Sequence, residues 1–172
     1  MNLKEKIFTW KKARIEPRTT AFPTYANIET VVLLYESEWQ ERNPAIRTLV
    51  RRLQEDDKHV VAWGYCAKHD VLSPNLPDSR IFGLKDFNIF GAPKQSVLED
   101  MQRRQFDVLI DLSKQPILAM RYLAMYTQAA FKIGSRADDN LYDMLLEVPQ
   151  GSTEEYSFNQ IMHYLKLIQS AD

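Results

Sequence analysis

The sequence predicts an α/β fold of three layers, in which helices cover both faces of a mainly parallel sheet of five or six strands. Two observations lead to it. From residue 29 onward, short apolar runs alternate with segments of helical periodicity, and the run at residues 106–112 has a continuous apolar centre. Alternating strands and helices favour parallel pairing. A continuous apolar run is typical of a strand covered on both faces, so we place residues 106–112 at the centre of the sheet.

The predicted strands are short apolar runs bounded by polar residues, glycine or proline. They span residues 30–35, 59–65, 80–84, 106–112 and 130–134, with a sixth candidate at residues 141–148. The link from residue 67 to residue 79 contains prolines and has no helical period, which indicates an irregular loop.

The predicted helices have recognisable first residues. Asn43 and Pro44 suit the N-cap and first turn of a helix that runs to residue 55. A second helix is expected from about residue 93 to residue 104, and Ser113 is expected to cap a third. Residues 152–155 read Ser-Thr-Glu-Glu, a capping box that opens the last helix.

The first 28 residues differ in composition from the rest. Leu3, Ile7 and Trp10 recur at helical spacing, and residues 1–18 hold six basic and two acidic side chains. We predict a short basic amphipathic helix followed by an extended connection. It either packs through Phe8 and Trp10 on the main domain or on a second copy, or docks on an anionic membrane surface or an acidic protein. Packing is favoured, because helices that bind membranes alone need a larger apolar face.

Composition bounds the class of protein. The 172 residues suffice for one domain, which we place at residues 29–172 after the segment 1–28. A net charge of −1 gives no bulk positive field for a nucleic-acid backbone. The single cysteine, Cys66, excludes an internal disulfide and a zinc-finger ligand set. With no apolar run of signal-peptide or membrane-spanning length, a cytoplasmic location is expected.

Candidate functional residues follow the ends of the predicted strands, where ligands bind in open α/β sheets. Those expected to bind a ligand are Lys68, Lys85, Asp86, Ser113, Lys114 and Arg136. Four of these are cations, which suits a small anionic group. Glu36, Glu38 and Asp111 are the candidate catalytic carboxylates, because paired carboxylates support acid and base chemistry.

Several chemistries lack their sequence signatures. The five glycines form neither G-x-G-x-x-G nor a P-loop, which argues against dinucleotide binding and P-loop hydrolysis. His69 has no second histidine to join it, so no metal site is predicted, and no particular cofactor is indicated. Ser113 is not part of a G-x-S-x-G elbow, so it is a poor candidate for a nucleophile.

Two stretches resemble a known enzyme family. Residues 43–53 with the strand that follows, and residues 106–134, are similar to the N-terminal Rossmann-like half of heptosyltransferase-type glycosyltransferases. In that family a Gly-Asp motif after the first strand supplies the base, and a second domain binds the nucleotide-sugar. Residues 36–42 here contain no Gly-Asp, and the chain has no room for the second domain. The resemblance thus implies the fold and argues against the activity.

A closer resemblance covers most of residues 29–148. Residues 85–94 (Lys-Asp-Phe-Asn-Ile-Phe-Gly-Ala-Pro-Lys), 106–112 and 131–134 resemble the pattern of a family of short bacterial proteins of unknown function. This resemblance implies no activity.

The sequence as a whole favours a Rossmann-like module without catalytic function, which binds a small anionic ligand or a protein partner at the carboxyl edge of its sheet. Two alternatives stay open. One is a reduced glycosyltransferase-like or phosphoryl-group enzyme that acts on a nucleotide-linked substrate through Glu36 or Glu38 with Asp111. The other is a homo-oligomeric assembly protein that uses the N-terminal helix. Whether the protein is an enzyme is undecided at this point.

Overall fold

Six parallel strands form one sheet in the computed structural model, which describes residues 1–37, 43–71, 76–135 and 140–167. The strands are β1 Thr30–Glu36, β2 His59–Tyr65, β3 Ser79–Phe82, β4 Gln105–Asp111, β5 Gln128–Gly134 and β6 Met144–Leu145. Their order is β3-β2-β1-β4-β5-β6. The predicted α/β class is confirmed, and β4 lies at the centre of the sheet, paired with β1 and β5.

Five helices complete the described fold. They are α1 Leu3–Lys12, α2 Pro44–Glu55, α3 Gln95–Gln102, α4 Leu118–Tyr126 and α5 Glu154–Leu167. The start of α2 is as expected, because the Asn43 carboxamide oxygen accepts a hydrogen bond from the Ile46 N–H at 3.3 Å. At the start of α5, the Thr153 hydroxyl accepts one from the Tyr156 N–H at 3.1 Å.

The helices form one layer on each face of the sheet. Alternate residues of each strand point to opposite faces, so that Val32 and Leu34 belong to one apolar cluster and Leu33 and Tyr35 to the other. Side chains of α1, α3 and α4 complete the first cluster. Side chains of α2 and α5 complete the second. The result is the three-layer arrangement that the sequence predicts.

One local expectation is wrong, and another is confirmed only in part. Ser113 does not cap α4, which begins five residues later at Leu118. Pro116 intervenes, and a proline disfavours helical geometry in the residue before it. The sixth strand lies within the predicted residues 141–148 but is only two residues long. It pairs with the last two residues of β5 alone.

The helix α1 packs on the main domain through one aromatic side chain. Phe8 is fully buried, and its ring meets Tyr122 of α4 edge-on at 4.9 Å. The Arg121 guanidinium lies 4.2 Å from the Phe8 ring centre and pairs with Glu5 at 2.7 Å. Trp10, which was expected to pack beside Phe8, is instead 54% exposed.

The connection after α1 runs along the edge of β5. Arg18 donates to the Ala130 carbonyl at 3.1 Å and pairs with Asp143. The Ala21 N–H donates to the same Ala130 carbonyl at 3.2 Å. The connection therefore donates hydrogen bonds to Ala130 of β5. The short β6 pairs only with Ile133 and Gly134, at the other end of that strand.

Lys132 on β5 is a buried cation, only 3% exposed. Its ammonium donates to the Ala124 and Met125 carbonyls, at 2.7 and 3.3 Å, in the last turn of α4. The pKa of Lys132 is lowered to about 7, mainly by burial and in part by the neighbouring Arg18 charge, while the Asp143 charge opposes the change. The unfolded chain keeps the ordinary value of 10.5.

We predict that the stability of the protein increases as the pH rises above about 7, because the fold favours the neutral form of the Lys132 side chain. Between that pH and 10.5 the unfolded chain binds a proton that the folded chain lacks, so the free energy of unfolding increases with pH by at most about 1.4 kcal/mol per unit. Urea unfolding of the wild type and of Lys132→Met from pH 6 to pH 9 measures this slope. Lys4→Met, a change at an exposed lysine, is the control. Equal slopes in all three proteins would contradict the prediction.

Candidate functional site

A ligand site is expected at the carboxyl edge of the sheet, between β1 and β4. Connections leave β1 and β4 in opposite directions along the sheet, and open α/β sheets bind ligands at this crossover. Glu36 ends β1 and Asp111 ends β4. The sheet thus brings the two described candidate carboxylates to neighbouring strands, with Leu34 of β1 in register with Asp111.

Asp111 is enclosed by hydrogen-bond donors. Its carboxylate is 1% exposed and accepts hydrogen bonds from the Ser113 N–H at 2.8 Å, from the Ser113 hydroxyl and from the Tyr142 hydroxyl. Ser113 is equally buried, and it turns towards Asp111. These contacts tie the end of β4 to the loop that follows it and to the segment before β6.

Gly134 leaves room for the Tyr142 ring. A Cβ atom at this position would come within 2.9 Å of three ring atoms of Tyr142, so a side chain would push the ring aside. A glycine at the end of β5 is therefore needed for Tyr142 to reach Asp111.

Glu36 has a similar structural role. One of its carboxylate oxygens accepts hydrogen bonds from the N–H groups of Lys114 and Gln115, at 2.7 and 3.0 Å. Both hydrogen bonds lie at the surface of the protein. Glu36 therefore holds the loop after β4, and the Lys114 side chain itself is exposed.

The N-terminus of α2, where a doubly wound domain would hold a phosphate, is closed by side chains. Pro44 has no N–H to offer, and Asn43 caps the Ile46 N–H. The Asn43 amide donates to the Glu154 carboxylate at 2.9 Å. The negative charge of Glu154 also acts on Tyr35, whose pKa is raised to about 12, mainly by burial and in part by that charge. A carboxylate at this position repels anions, which agrees with the missing glycine-rich motif.

The remaining predicted residues lie elsewhere along the same edge. Lys68 and Lys85 are both exposed and close in the fold, since the Leu84 N–H donates to the Lys68 carbonyl at 2.8 Å. Asp86 accepts from the Gly83 N–H at 2.8 Å and pairs with Arg80 at 3.1 Å. These residues are separated from Ser113 and Lys114 by the strands β2 and β1. Two of the predicted residues, Glu38 and Arg136, lie outside the described residues.

The segment from residue 87 to residue 93, which we call the 87–93 turn, projects from this edge between β3 and α3. Its two ends pair as an antiparallel bridge between Phe87 and Pro93. The Asn88 carboxamide oxygen accepts from the Phe90 and Ala92 N–H groups, at 2.9 and 3.2 Å. The Asn88 N–H donates to the Ala92 carbonyl at 2.8 Å. The turn is therefore a closed hydrogen-bonded loop.

Glycine is required at position 91 of the turn. Gly91 has φ +81°, in the left-handed region that side chains disfavour. Its N–H donates to the Asn88 carbonyl at 2.9 Å, which closes the tip. The base of the turn is buried, with Phe87 7% exposed and packed edge-on against Tyr65 at 5.5 Å.

The tip of the turn displays apolar side chains to solvent. Ile89 is 80% exposed and Phe90 38% exposed, and Leu84 just before the turn is 39% exposed. From the sequence, residues 85–92 are expected only to connect a strand to a helix, and the exposed tip is not predicted. The signal was present, because Asn and Gly spaced as in Asn88-Ile89-Phe90-Gly91 are typical of a tight turn, whose central side chains face outward.

A groove of about 870 Å³ lies at the opposite edge, between the end of α1, the last turn of α4 and the first residues of β4 and β5. Two of its cations already have partners, because Arg18 pairs with Asp143 and Lys132 donates to carbonyls of α4. Among the described residues, no three His, Cys, Asp or Glu side chains are close enough together to hold a metal ion.

The strand order and the crossover between β1 and β4 define a doubly wound parallel α/β domain. Residues 3–168 match the model of DUF6913, a family of unknown function, and the chain belongs to this family. No curated protein and no solved structure was found to match the chain.

We predict that Asp111 and Tyr142 stabilise the fold as a coupled pair. A hydrogen bond to a charged group contributes about 1.5–3 kcal/mol, so the losses caused by Asp111→Asn and Tyr142→Phe should overlap by that amount in the double variant. Urea unfolding of the four proteins measures the coupling. The control combines Tyr142→Phe with Asp100→Asn, which changes a remote carboxylate that pairs with Arg80. The losses of stability caused by these two changes should be additive. Additive losses in the Asp111 cycle would contradict the prediction.

Proposed function

We propose that this protein is a non-catalytic binding module that holds a partner protein through the tip of the 87–93 turn. The observation that carries the proposal is Ile89, an isoleucine 80% exposed on a loop whose backbone is closed by hydrogen bonds. Exposed apolar side chains are common on proteins when they are isolated. Here Leu84 and Phe90 are exposed in the same segment, which favours a contact surface.

The rigidity of the turn supports recognition. Binding is weakened when a loop must become ordered in the complex. The Asn88 hydrogen bonds, the positive φ of Gly91 and the buried Phe87 already fix this backbone. The apolar tip is therefore presented in the shape in which a partner would bind it.

The charges around the turn indicate the chemistry of the partner. Lys85 and Lys94 are exposed on either side of it, and Lys68 is exposed nearby. The carboxylate of Asp86, by contrast, is engaged by Arg80 and Gly83. The partner that fits is a protein with an apolar pocket for Ile89 and carboxylates at its rim. A second copy fits poorly, since it would bring the same lysines face to face.

The carboxylates at the crossover support a binding role over an enzymatic one. A general base must be within reach of a substrate proton, whereas Asp111 is buried among donors from Ser113 and Tyr142. Glu36 holds the N–H groups of Lys114 and Gln115. Of the described candidate cations for a small anionic ligand, Lys68 and Lys85 follow β2 and β3, whereas Lys114 follows the central strand β4. A projecting tip suits a protein better than a small molecule, which prefers a concave site. The buried thiol of Cys66 agrees with a reducing, cytoplasmic setting.

We predict that Ile89→Ser weakens partner binding strongly and leaves the fold intact. Loss of a central apolar contact costs about 2 kcal/mol or more, which raises the Kd at least about thirtyfold. The exposed side chain makes little contribution to folding, so the Tm should change by less than about 2 °C. Proteins retained from an extract of the source organism by the wild type are identified, purified and titrated by calorimetry with the wild type and with Ile89→Ser.

Leu145→Ser is the matched control, because Leu145 is an exposed apolar residue on β6, at the other end of the sheet. It should bind the purified partner as the wild type does. A partner whose Kd is the same for Ile89→Ser as for the wild type, or an equal loss in Leu145→Ser, would overturn the proposal.

A further inference from the structure

The helix α1 has its apolar stripe on the outside. With about 100° between successive residues of a helix, Leu3, Ile7 and Trp10 lie along one line of α1. Phe8 and Glu5 lie on the opposite side, where Phe8 is fully buried and Glu5 pairs with Arg121. Leu3 is 63% exposed and Trp10 54% exposed. Ile7, between them on the stripe, is half-buried, so the domain leaves the two ends of the stripe, Leu3 and Trp10, open to solvent.

Basic side chains border this stripe on both sides. On the same helical geometry, Lys6 lies beside the stripe on one side, and Lys4 and Lys11 lie beside it on the other. Lys4 and Lys6 are exposed. The Arg14 guanidinium stacks 3.4 Å from the Trp10 ring centre. The acidic residue of the helix, Glu5, faces the domain.

We infer that α1 docks the protein on an anionic lipid surface, lying flat with Leu3 and Trp10 between the headgroups. A helix of low overall hydrophobicity, with an apolar stripe and basic flanks, is the kind that lies in the membrane interface. The apolar stripe of α1 is small, so attraction of the basic flanks to acidic headgroups has to supply a large part of the binding. Tryptophan is enriched at this depth, and lysines beside it meet acidic headgroups. Among the described helices none is long and apolar enough to cross a membrane, so the contact is peripheral.

Charge distinguishes this occupant from a second copy of the chain. Residues 1–18 carry four more positive than negative charges, although the whole chain has a net charge of −1. Pairing α1 with α1 would bring two positive helices together, which costs free energy. A fluid anionic surface, in contrast, contacts the stripe and both rows of lysines at once.

The test is sedimentation of the full-length protein with vesicles of phosphatidylcholine alone or of equal parts phosphatidylcholine and phosphatidylserine. We expect binding to the mixed vesicles to exceed binding to the neutral ones by more than about tenfold, since each basic residue near the surface adds attraction. The excess should fall as salt is raised. The double variant Leu3→Ser, Trp10→Ser should lose most of this binding, and so should the triple variant Lys4→Gln, Lys6→Gln, Lys11→Gln.

Matched controls separate this surface from general stickiness. Leu145→Ser with Tyr164→Ser removes two exposed apolar side chains elsewhere, and Arg51→Gln with Arg103→Gln and Arg104→Gln removes three exposed cations elsewhere. Both should bind mixed vesicles as the wild type does. Ile89→Ser should also bind them normally, so that failure here is distinguishable from failure of the 87–93 turn.

Four results would overturn the inference. The first is no difference between mixed and neutral vesicles. The second is equal loss of binding in the control variants. The third is a wild type that does not bind vesicles and is a dimer in light scattering, with a mass that the double variant Leu3→Ser, Trp10→Ser halves. That result would assign the stripe to a second copy of the chain. Binding of an acidic protein through the stripe, without vesicle binding, would likewise replace the lipid surface.

Discussion

The buried carboxylate of Asp111 is the contact on which the carboxyl edge of the sheet depends. A charge removed from water is costly unless donors surround it. Asp111 receives hydrogen bonds from Ser113 and Tyr142, which belong to the loop after β4 and the segment before β6. One side chain thereby fixes two connections against the central strand. The arrangement also requires the space that Gly134 leaves for the Tyr142 ring.

The same solution recurs where other strands begin or end. In each case a carboxylate accepts N–H groups from a neighbouring strand or loop: Glu36 from Lys114 and Gln115, Asp107 from Glu29 and Thr30, and Asp143 from Lys132. A parallel sheet leaves such N–H groups unpaired at its edges. Carboxylates at strand ends are therefore needed here for architecture, and their presence alone does not indicate catalysis.

The sequence predicts the fold better than the site, for a physical reason. Strands such as β1 and β4 are apolar and local, and helix starts such as Asn43-Pro44 depend on adjacent residues, so periodicity and capping reveal them. The partners of Asp111 are set by tertiary packing, because Tyr142 lies 31 residues away in the chain. Ser113 has the composition of a helix cap, yet the nearby carboxylate and Pro116 give it another role. Periodicity also predicted α1, but it assigned Trp10 to the packed face.

Trp10 and Ile89 show why exposure escapes sequence reasoning. Both are large apolar residues near a buried aromatic residue of the same segment, Phe8 or Phe87, and both are exposed to solvent. Periodicity and composition do not tell which of two such neighbours enters the core. Phe8, Phe87, α3 and α4 all contribute to the same apolar cluster, so α1 and the 87–93 turn belong to one layer of the domain. α1 and the 87–93 turn each expose only two or three apolar side chains. The area that these side chains can bury is far smaller than the roughly 800 Å² that each partner buries in a stable protein interface. A contact this small binds weakly by itself. Two such contacts on one rigid layer bind more tightly together when their targets are linked, as they are when the partner protein itself lies at the anionic surface, because the first contact then raises the effective concentration for the second.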